Sequence, residues 1–402
     1  MEKTDKTLRL VDDVICGYVD QSVVTKGLDN GSITLLNGGS RTIAVGPGTP
    51  IKVNTNIGIS NKSSSYVAEM EKLETLTTVS FRPDMIMDHT IYADCKDFWR
   101  EIVRTFDGAV GTLPHYTTYD KKYGLDEVKL LERIHEMLES GVSFMTLHFT
   151  ADIDIYEIAR GIRAIPVTSR GGGLVVRDTL NKGRKENIFR SLLPEIIAAF
   201  KKHDAAISVG TTYRPPDIFS ALDAAHVEET KRQIEIINGL KNSGVKVLME
   251  GVGHIPIYKL DQYIAFVREA NCPFMPLGPM ITDSAIGFDH ITNAIGGAIM
   301  ADKGGAHIIN TVTREEHTGG VPDKLSVIEG LKSARVAAHS VNVSKFVKVR
   351  LLDELTIKKR GEQISCVVAG GLFDSTVDNP RKGCDRCSFE CPILLAPKSP
   401  LC

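Results

Sequence analysis

Three cysteines near the end of the chain, Cys384, Cys387 and Cys391, are spaced C-x2-C-x3-C and followed by Pro392. Soft thiolates set this close let one loop wrap a metal centre, and the spacing suits either zinc or an iron–sulfur cluster. A structural zinc asks for a fourth ligand, and Cys402, the only other cysteine nearby, is terminal and a poor anchor. Three thiolates instead leave one iron of a [4Fe-4S] cluster open, where a small molecule's amino and carboxylate groups can chelate it. The remaining cysteines, Cys16, Cys95, Cys272 and Cys366, are scattered and read as small apolar side chains.

A second set of chemically able residues is spread along the chain. Asn56, Asp88, His89, Tyr116, His148, Ser169, Arg170, Arg214, Glu250 and His254 each follow an apolar run at its C-terminal end. Nine such runs read as strands: 51–58, 84–89, 109–116, 144–149, 165–172, 206–214, 246–254, 273–280 and 306–312. Between them lie amphipathic helical patterns, two of which end at a glycine suited to a left-handed cap. Alternation of this kind predicts a parallel sheet, and polar residues at strand C-termini are where a (β/α)8 barrel builds its active site. An open doubly wound sheet would place ligands similarly but rarely needs so many strands. Nine runs are one too many for the barrel, and the proline-broken 273–280 or the first run is the expected outsider. The division expected is a small strand-rich lead-in over 1–50, the barrel over 51–345 and a cysteine-bearing tail over 346–402.

With 402 residues, 42% hydrophobic and 24% charged, the chain has enough apolar content for one large α/β core with smaller parts attached. A net charge of −2 without long blocks of one sign gives a nucleic-acid partner no support. No apolar run approaches the roughly 18–20 residues of a membrane span, and the N-terminus lacks a secretory pattern, so the cytoplasm is the expected location. Lone histidines such as His89 and His203 read as structural.

Taken together, KVNTNIG, SRGGG, EGVGHIPI, PLGPMITD, FDHIT, TREEH, the helical ARVAAHS and the cysteine triplet resemble the phosphomethylpyrimidine synthase family. The resemblance covers about residues 50–345 and the tail. It implies a (β/α)8 barrel and a homodimer in which one subunit's tail closes the other's barrel. It also implies a [4Fe-4S] cluster, S-adenosylmethionine, 5-aminoimidazole ribotide as substrate and an electron donor such as flavodoxin or ferredoxin.

Carried over residue by residue, the resemblance implies substrate contacts at Asn56, Met87, Tyr116, His148, Ser169, Arg170, Gly171, Arg214, Glu250 and Met275. It implies catalysis through the cluster on Cys384, Cys387 and Cys391 together with Glu250. His254 and His317 would bind a mononuclear zinc or iron. The residue types fit these roles: guanidinium forks and backbone N–H groups around Gly171–Gly173 suit a phosphate.

The departures from the family pattern are equally specific. MDHTIYAD stands for MDLSTGG, LHFT for IHAG and GTTYRPP for GDGLRPG, so that Thr211 replaces an aspartate. Met275 replaces a tyrosine, and the cysteine motif is one residue short. Changes expected beside the substrate favour the 5-hydroxybenzimidazole synthase branch, a carbon–carbon lyase of anaerobic cobalamin lower-ligand synthesis. The alternative is phosphomethylpyrimidine synthesis for thiamin. A metal-dependent barrel hydrolase and a non-catalytic ribotide-binding paralogue are lesser competitors.

Overall fold

The computed structural model describes residues 11–60, 65–91 and 93–363, together with 366, 387 and 390–395. Eight short, buried runs form one parallel sheet: β3 (Lys52–Ile57), β4 (Met85–Asp88), β5 (Ala109–Thr112), β6 (Phe144–Leu147), β7 (Ala206–Val209), β8 (Lys246–His254), β9 (Phe274–Met280) and β10 (Ile308–Asn310). Their order is β10-β3-β4-β5-β6-β7-β8-β9. The ring closes where the His307 N–H donates to the Phe274 carbonyl at 2.9 Å. Nearly every strand residue is buried because side chains on one face fill the barrel and those on the other meet helices.

The helices form the outer ring. They are α1 (Tyr66–Thr78), α2 (Trp99–Thr105), α3 (Glu127–Glu139), α4 (Ile153–Ile162), α5 (Arg170–Lys182), α6 (Leu193–His203), α7 (Ala224–Asn242), α8 (Leu260–Val267), α9 (Asp289–Asp302) and α10 (Lys324–Lys345). Their starts are written in the sequence: Ser65, Asp126, Asp223 and Asp323 cap α1, α3, α7 and α10 by accepting backbone N–H groups. Gly141 and Gly244, just beyond α3 and α7, adopt the positive φ that the chain reversal needs. In α3, Leu130, Ile134, Met137 and Leu138 recur at helical spacing and are buried against the barrel.

The expected (β/α)8 architecture is present, but the surplus run is a different one. Both 51–58 and 273–280 contribute barrel strands, β3 and β9, while 165–172 is a turn that enters α5. Ser169 caps that helix by accepting the Gly172 N–H at 3.1 Å, and Ile165 is 55% exposed where a barrel strand would bury it. The lead-in is a hairpin, β1 (Thr34–Asn37) and β2 (Thr42–Val45), preceded by the helix Gln21–Asp29. Leu36, Ile43 and Val45 join Met85, Ala109, Phe144, Ala206 and Ile308, the first or second residues of their strands, in one apolar cluster. The hairpin therefore plugs the N-terminal mouth of the barrel.

Beyond α10, helix α11 (Val347–Gln363) leads toward the tail. Cys384 and Cys402 lie outside the described residues. Cys387 and Cys391 are half-buried free thiols, and Pro392–Leu395 forms a single 3-10 turn behind Cys391. Among the described residues no helix is long and apolar enough to cross a membrane.

Candidate active site

A cleft of about 530 Å³ opens at the C-terminal ends of the strands. Strand alternation and the βα turns bring Asn56, Met87, Tyr116, His148, Ser169, Arg170, Arg214, Glu250, His254 and His317 onto its walls. Gly171 lies just behind the wall, and Met275 does not reach it.

Arg170 at the start of α5 and Arg214 after β7 both enter the cleft, and among the described residues neither guanidinium has a carboxylate partner. Two unneutralised forks in one cavity make an anion site. The backbone expected to help is largely committed elsewhere. The Gly172 N–H goes to the Ser169 Oγ and the Gly173 N–H to the Ser169 carbonyl at 2.8 Å. A phosphate in the cleft would therefore be met mainly by the two side chains.

The glycines serve packing. A Cβ at Gly171 would stand 2.5 Å from the His148 Nε2 and 2.7 Å from the His115 Nε2, and one at Gly172 would stand 2.5 Å from the Thr212 Oγ1. Residue 171 must be glycine for α5 to approach the histidine wall this closely.

The cleft's inner imidazoles are neutral. Burial pulls His148 well below its ordinary value and takes His115 down to about 3. His89 also falls to about 3, through burial and then the charges of Arg170 and Arg214. His148 lies 3.4 Å from the Ser169 Oγ and 3.3 Å from the Thr212 Oγ1, which fix its ring.

Glu250, at the floor, is 3% exposed, and burial raises its pKa. Its Oε1 accepts from the Thr146 Oγ1 at 2.5 Å and the Ser208 Oγ at 2.9 Å. A carboxyl held toward its protonated form can donate to a ligand, the role a general acid needs. Asn56 accepts from the Asn54 amide at 2.9 Å, which orients its own amide for the cleft.

At the rim, His254 from the end of β8 and His317 from the loop after β10 face each other with ring centroids 5.0 Å apart. The His254 Nδ1 lies 2.7 Å from the Asp283 Oδ1 and the His317 Nδ1 lies 2.6 Å from the Asp289 Oδ1. Each carboxylate is itself held, by the Ile218 and Gly287 N–H groups at 2.9 and 3.1 Å. Carboxylates on both Nδ1 atoms leave the two Nε2 atoms as the nitrogens that could ligate a metal, since carboxylate partners of this kind often form the second layer of a histidine metal site.

Residues 6–368 match the radical SAM ThiC family. The chain belongs to that family. It is 33% identical over 355 residues to the phosphomethylpyrimidine synthase of Thermoanaerobacter pseudethanolicus, covering 85% of this chain and 81% of that one. The Ignicoccus hospitalis phosphomethylpyrimidine synthase is 33% identical over 409 residues, covering 94% and 91%. That of Sulfolobus acidocaldarius is 30% identical over 403 residues, covering 94% and 92%. As a radical SAM ThiC enzyme, the chain is of a type that implies a [4Fe-4S] cluster and S-adenosylmethionine.

Two departures that pointed toward a benzimidazole product fall away from the cleft. Met275 is fully buried in the barrel interior beside Met85, Ala206 and Leu248, opposite Glu250 in the strand register. Thr211 donates to the Glu229 Oε2 at 2.7 Å, and Glu229, not the substrate, takes its hydroxyl. A further departure, MDHTIYAD, does reach the wall: its His89, read from sequence as structural, lines the cleft. Asp283 and Asp289 were also missed as partners of the histidines. They stand in PLGPMITD and FDHIT, yet no spacing in the sequence shows that loops around α9 bend back onto β8 and the β10 loop.

Proposed function

We propose that this protein cleaves S-adenosylmethionine reductively and rearranges 5-aminoimidazole ribotide to hydroxymethylpyrimidine phosphate, as a carbon–carbon lyase. The observation that carries this reading is a pair of guanidiniums, Arg170 and Arg214, without a carboxylate ion-pair partner among the described residues, in the cleft of a radical SAM ThiC family barrel. A dianionic ribose phosphate is the ligand such a pair suits, and the three named relatives are phosphomethylpyrimidine synthases. The benzimidazole product loses most of its support because Met275 and Thr211 do not line the cleft.

The residues divide the work. Arg170 and Arg214 hold the phosphate, while Tyr116, Asn56 and neutral His148 orient the ring and ribose by hydrogen bonds. Glu250 holds a proton at Oε2 for delivery to the rearranging substrate. The tail, 346–402, carries the cluster: Cys387 and Cys391 are free thiols, a donor set suited to iron, with Cys384 as third ligand. A cluster there supplies the electron that breaks S-adenosylmethionine. The His254 and His317 Nε2 atoms fit a mononuclear zinc or iron, which would complete the rim.

The protein works in the cytoplasm as a homodimer, supplied with electrons by a flavodoxin or ferredoxin. The exposed apolar side chains Phe288, Ile291 and Ile295, at helical spacing at the start of α9, support a second subunit.

Anaerobic incubation of the reconstituted enzyme with ribose-labelled ribotide and S-adenosylmethionine tests the reading. Hydroxymethylpyrimidine phosphate is expected, with Cys384→Ala, Cys387→Ala and Cys391→Ala inactive and Cys402→Ala active. Labelled 5-hydroxybenzimidazole would transfer the protein to the other branch. No cleavage of S-adenosylmethionine by a fully loaded cluster would remove the reading altogether.

A further inference from the structure

We infer that the outer ring carries a second, peripheral transition-metal site, which takes zinc between His135, Glu139 and His203 and clamps helix α3 to helix α6. His135 and Glu139 stand one helical turn apart on α3, so their side chains share a face. His203 is the last residue of α6. One ligand atom from each of the three lies within 4.8 Å of the others.

Two imidazoles and a carboxylate are the donors of many zinc sites, and a solvent water can serve as the fourth ligand. Zinc–ligand bonds of about 2.0–2.2 Å require donors about 3.5 Å apart. Side-chain rotation on two fixed helices can close that gap of about 1 Å.

Two further observations point to a cation. The His203 Nε2 is shielded from solvent and has no hydrogen-bond partner among the described residues, which is costly for a polar atom unless something binds it. His203 also sits where the free carbonyls of α6 concentrate partial negative charge. The competing contact is weak: Lys202 Nζ lies 3.8 Å from the Glu139 Oε1, with both side chains more than half exposed.

The position separates this site from the cleft. Helix α3 ends just before β6 begins and α6 just before β7, so the three residues lie at the N-terminal end of the barrel, opposite the catalytic face. A clamp there ties together the helices that enter two neighbouring strands. It is independent of the proposed reaction.

Titration of the full-length chain with zinc tests the assignment, in a background of Cys384→Ala, Cys387→Ala, Cys391→Ala and His254→Ala that silences other candidate sites. One equivalent should bind by calorimetry, and zinc should raise the melting temperature. His135→Gln and His203→Gln should each lose that equivalent and the zinc-induced rise, while melting without zinc stays at the background value. Retention of the equivalent in both variants, or no zinc binding by the background protein, overturns the site. If His203→Gln fails to fold, loss of the equivalent in Glu139→Gln, on the exposed side, decides in favour and its retention decides against.

Discussion

His254 and His317 come from the end of β8 and the loop after β10, on either side of β9, and their rings stand edge to face at 5.0 Å, each steered by its own aspartate. The arrangement fixes which nitrogen of each ring faces the space between them. Asp289→Asn keeps the side chain's size but turns a carboxylate acceptor into an amide. Metal affinity at the histidine pair should fall about 10–100-fold, read by metal titration of protein lacking the tail cysteines. Asp283→Asn should behave alike. Wild-type affinity in both variants would show that the carboxylates are not orienting ligands.

The two guanidiniums of the cleft make a separate prediction. Arg170→Lys and Arg214→Lys retain charge and lose the fork, so each should weaken ribotide binding by about 1.5–3 kcal/mol, roughly 10- to 150-fold. Equilibrium binding to the anaerobic enzyme without S-adenosylmethionine isolates this effect from chemistry. Unchanged affinity in both would move the phosphate elsewhere.

Gly171 should tolerate no side chain. In Gly171→Ala the new methyl meets the Nε2 atoms of two buried, packed imidazoles, and either α5 or the His148 wall must shift. A loss of about 1–3 kcal/mol in stability is expected from such overpacking. Denaturant unfolding measures it, and a fall of less than a few tenths of a kcal/mol would show that the wall gives way freely.

Asp88 supplies a pH dependence. It is 3% exposed, and burial lifts its carboxyl from 3.8 to about 7, against the opposing bonds from Thr90. A carboxyl with a raised folded-state value binds its proton more tightly when folded. Its contribution is complete below pH 3.8 and is lost as the pH rises toward and through about 7. Asp88→Asn stays neutral throughout, so its stability relative to the parent should improve across that window, by on the order of 1–4 kcal/mol. Parallel melting curves at several pH values test this, and a constant difference between the two proteins would contradict it.

The barrel was legible because strand, helix and cap signals repeat with little conflict: Ser65, Asp126 and Asp223 announce helices, and the apolar runs before Asn56, His148 and Glu250 are strands. The misread run, 165–172, shows the limit. Ile-Pro-Val-Thr suits a strand locally, and only the approach of the Gly171 backbone to His148 reveals why three glycines open a helix there. Polar residues at strand ends pointed to the cleft, because pleating and the βα turn leave them one exit. Met275 escaped the same reasoning. A side chain near the start of a strand, like Met275 in β9, faces either the interior or a helix, and the depth at which it sits depends on the neighbouring strands' register. Asp283 and Asp289 depended on loop paths that no periodicity encodes.

The hairpin β1–β2 has a consequence for synthesis. Its apolar face rests on the first residues of strands that extend to Ile308, and the Thr34 Oγ1 donates to the Val247 carbonyl, 213 positions away. The hairpin, made before every strand it rests on, therefore waits, with Leu36, Ile43 and Val45 unsheltered, until the chain through Ile308 has been made. Contacts this distant in sequence form late, and an apolar hairpin without its seat is open to the wrong neighbour in the meantime. The ribosome's pace, and whatever shields the nascent chain, then bear on yield.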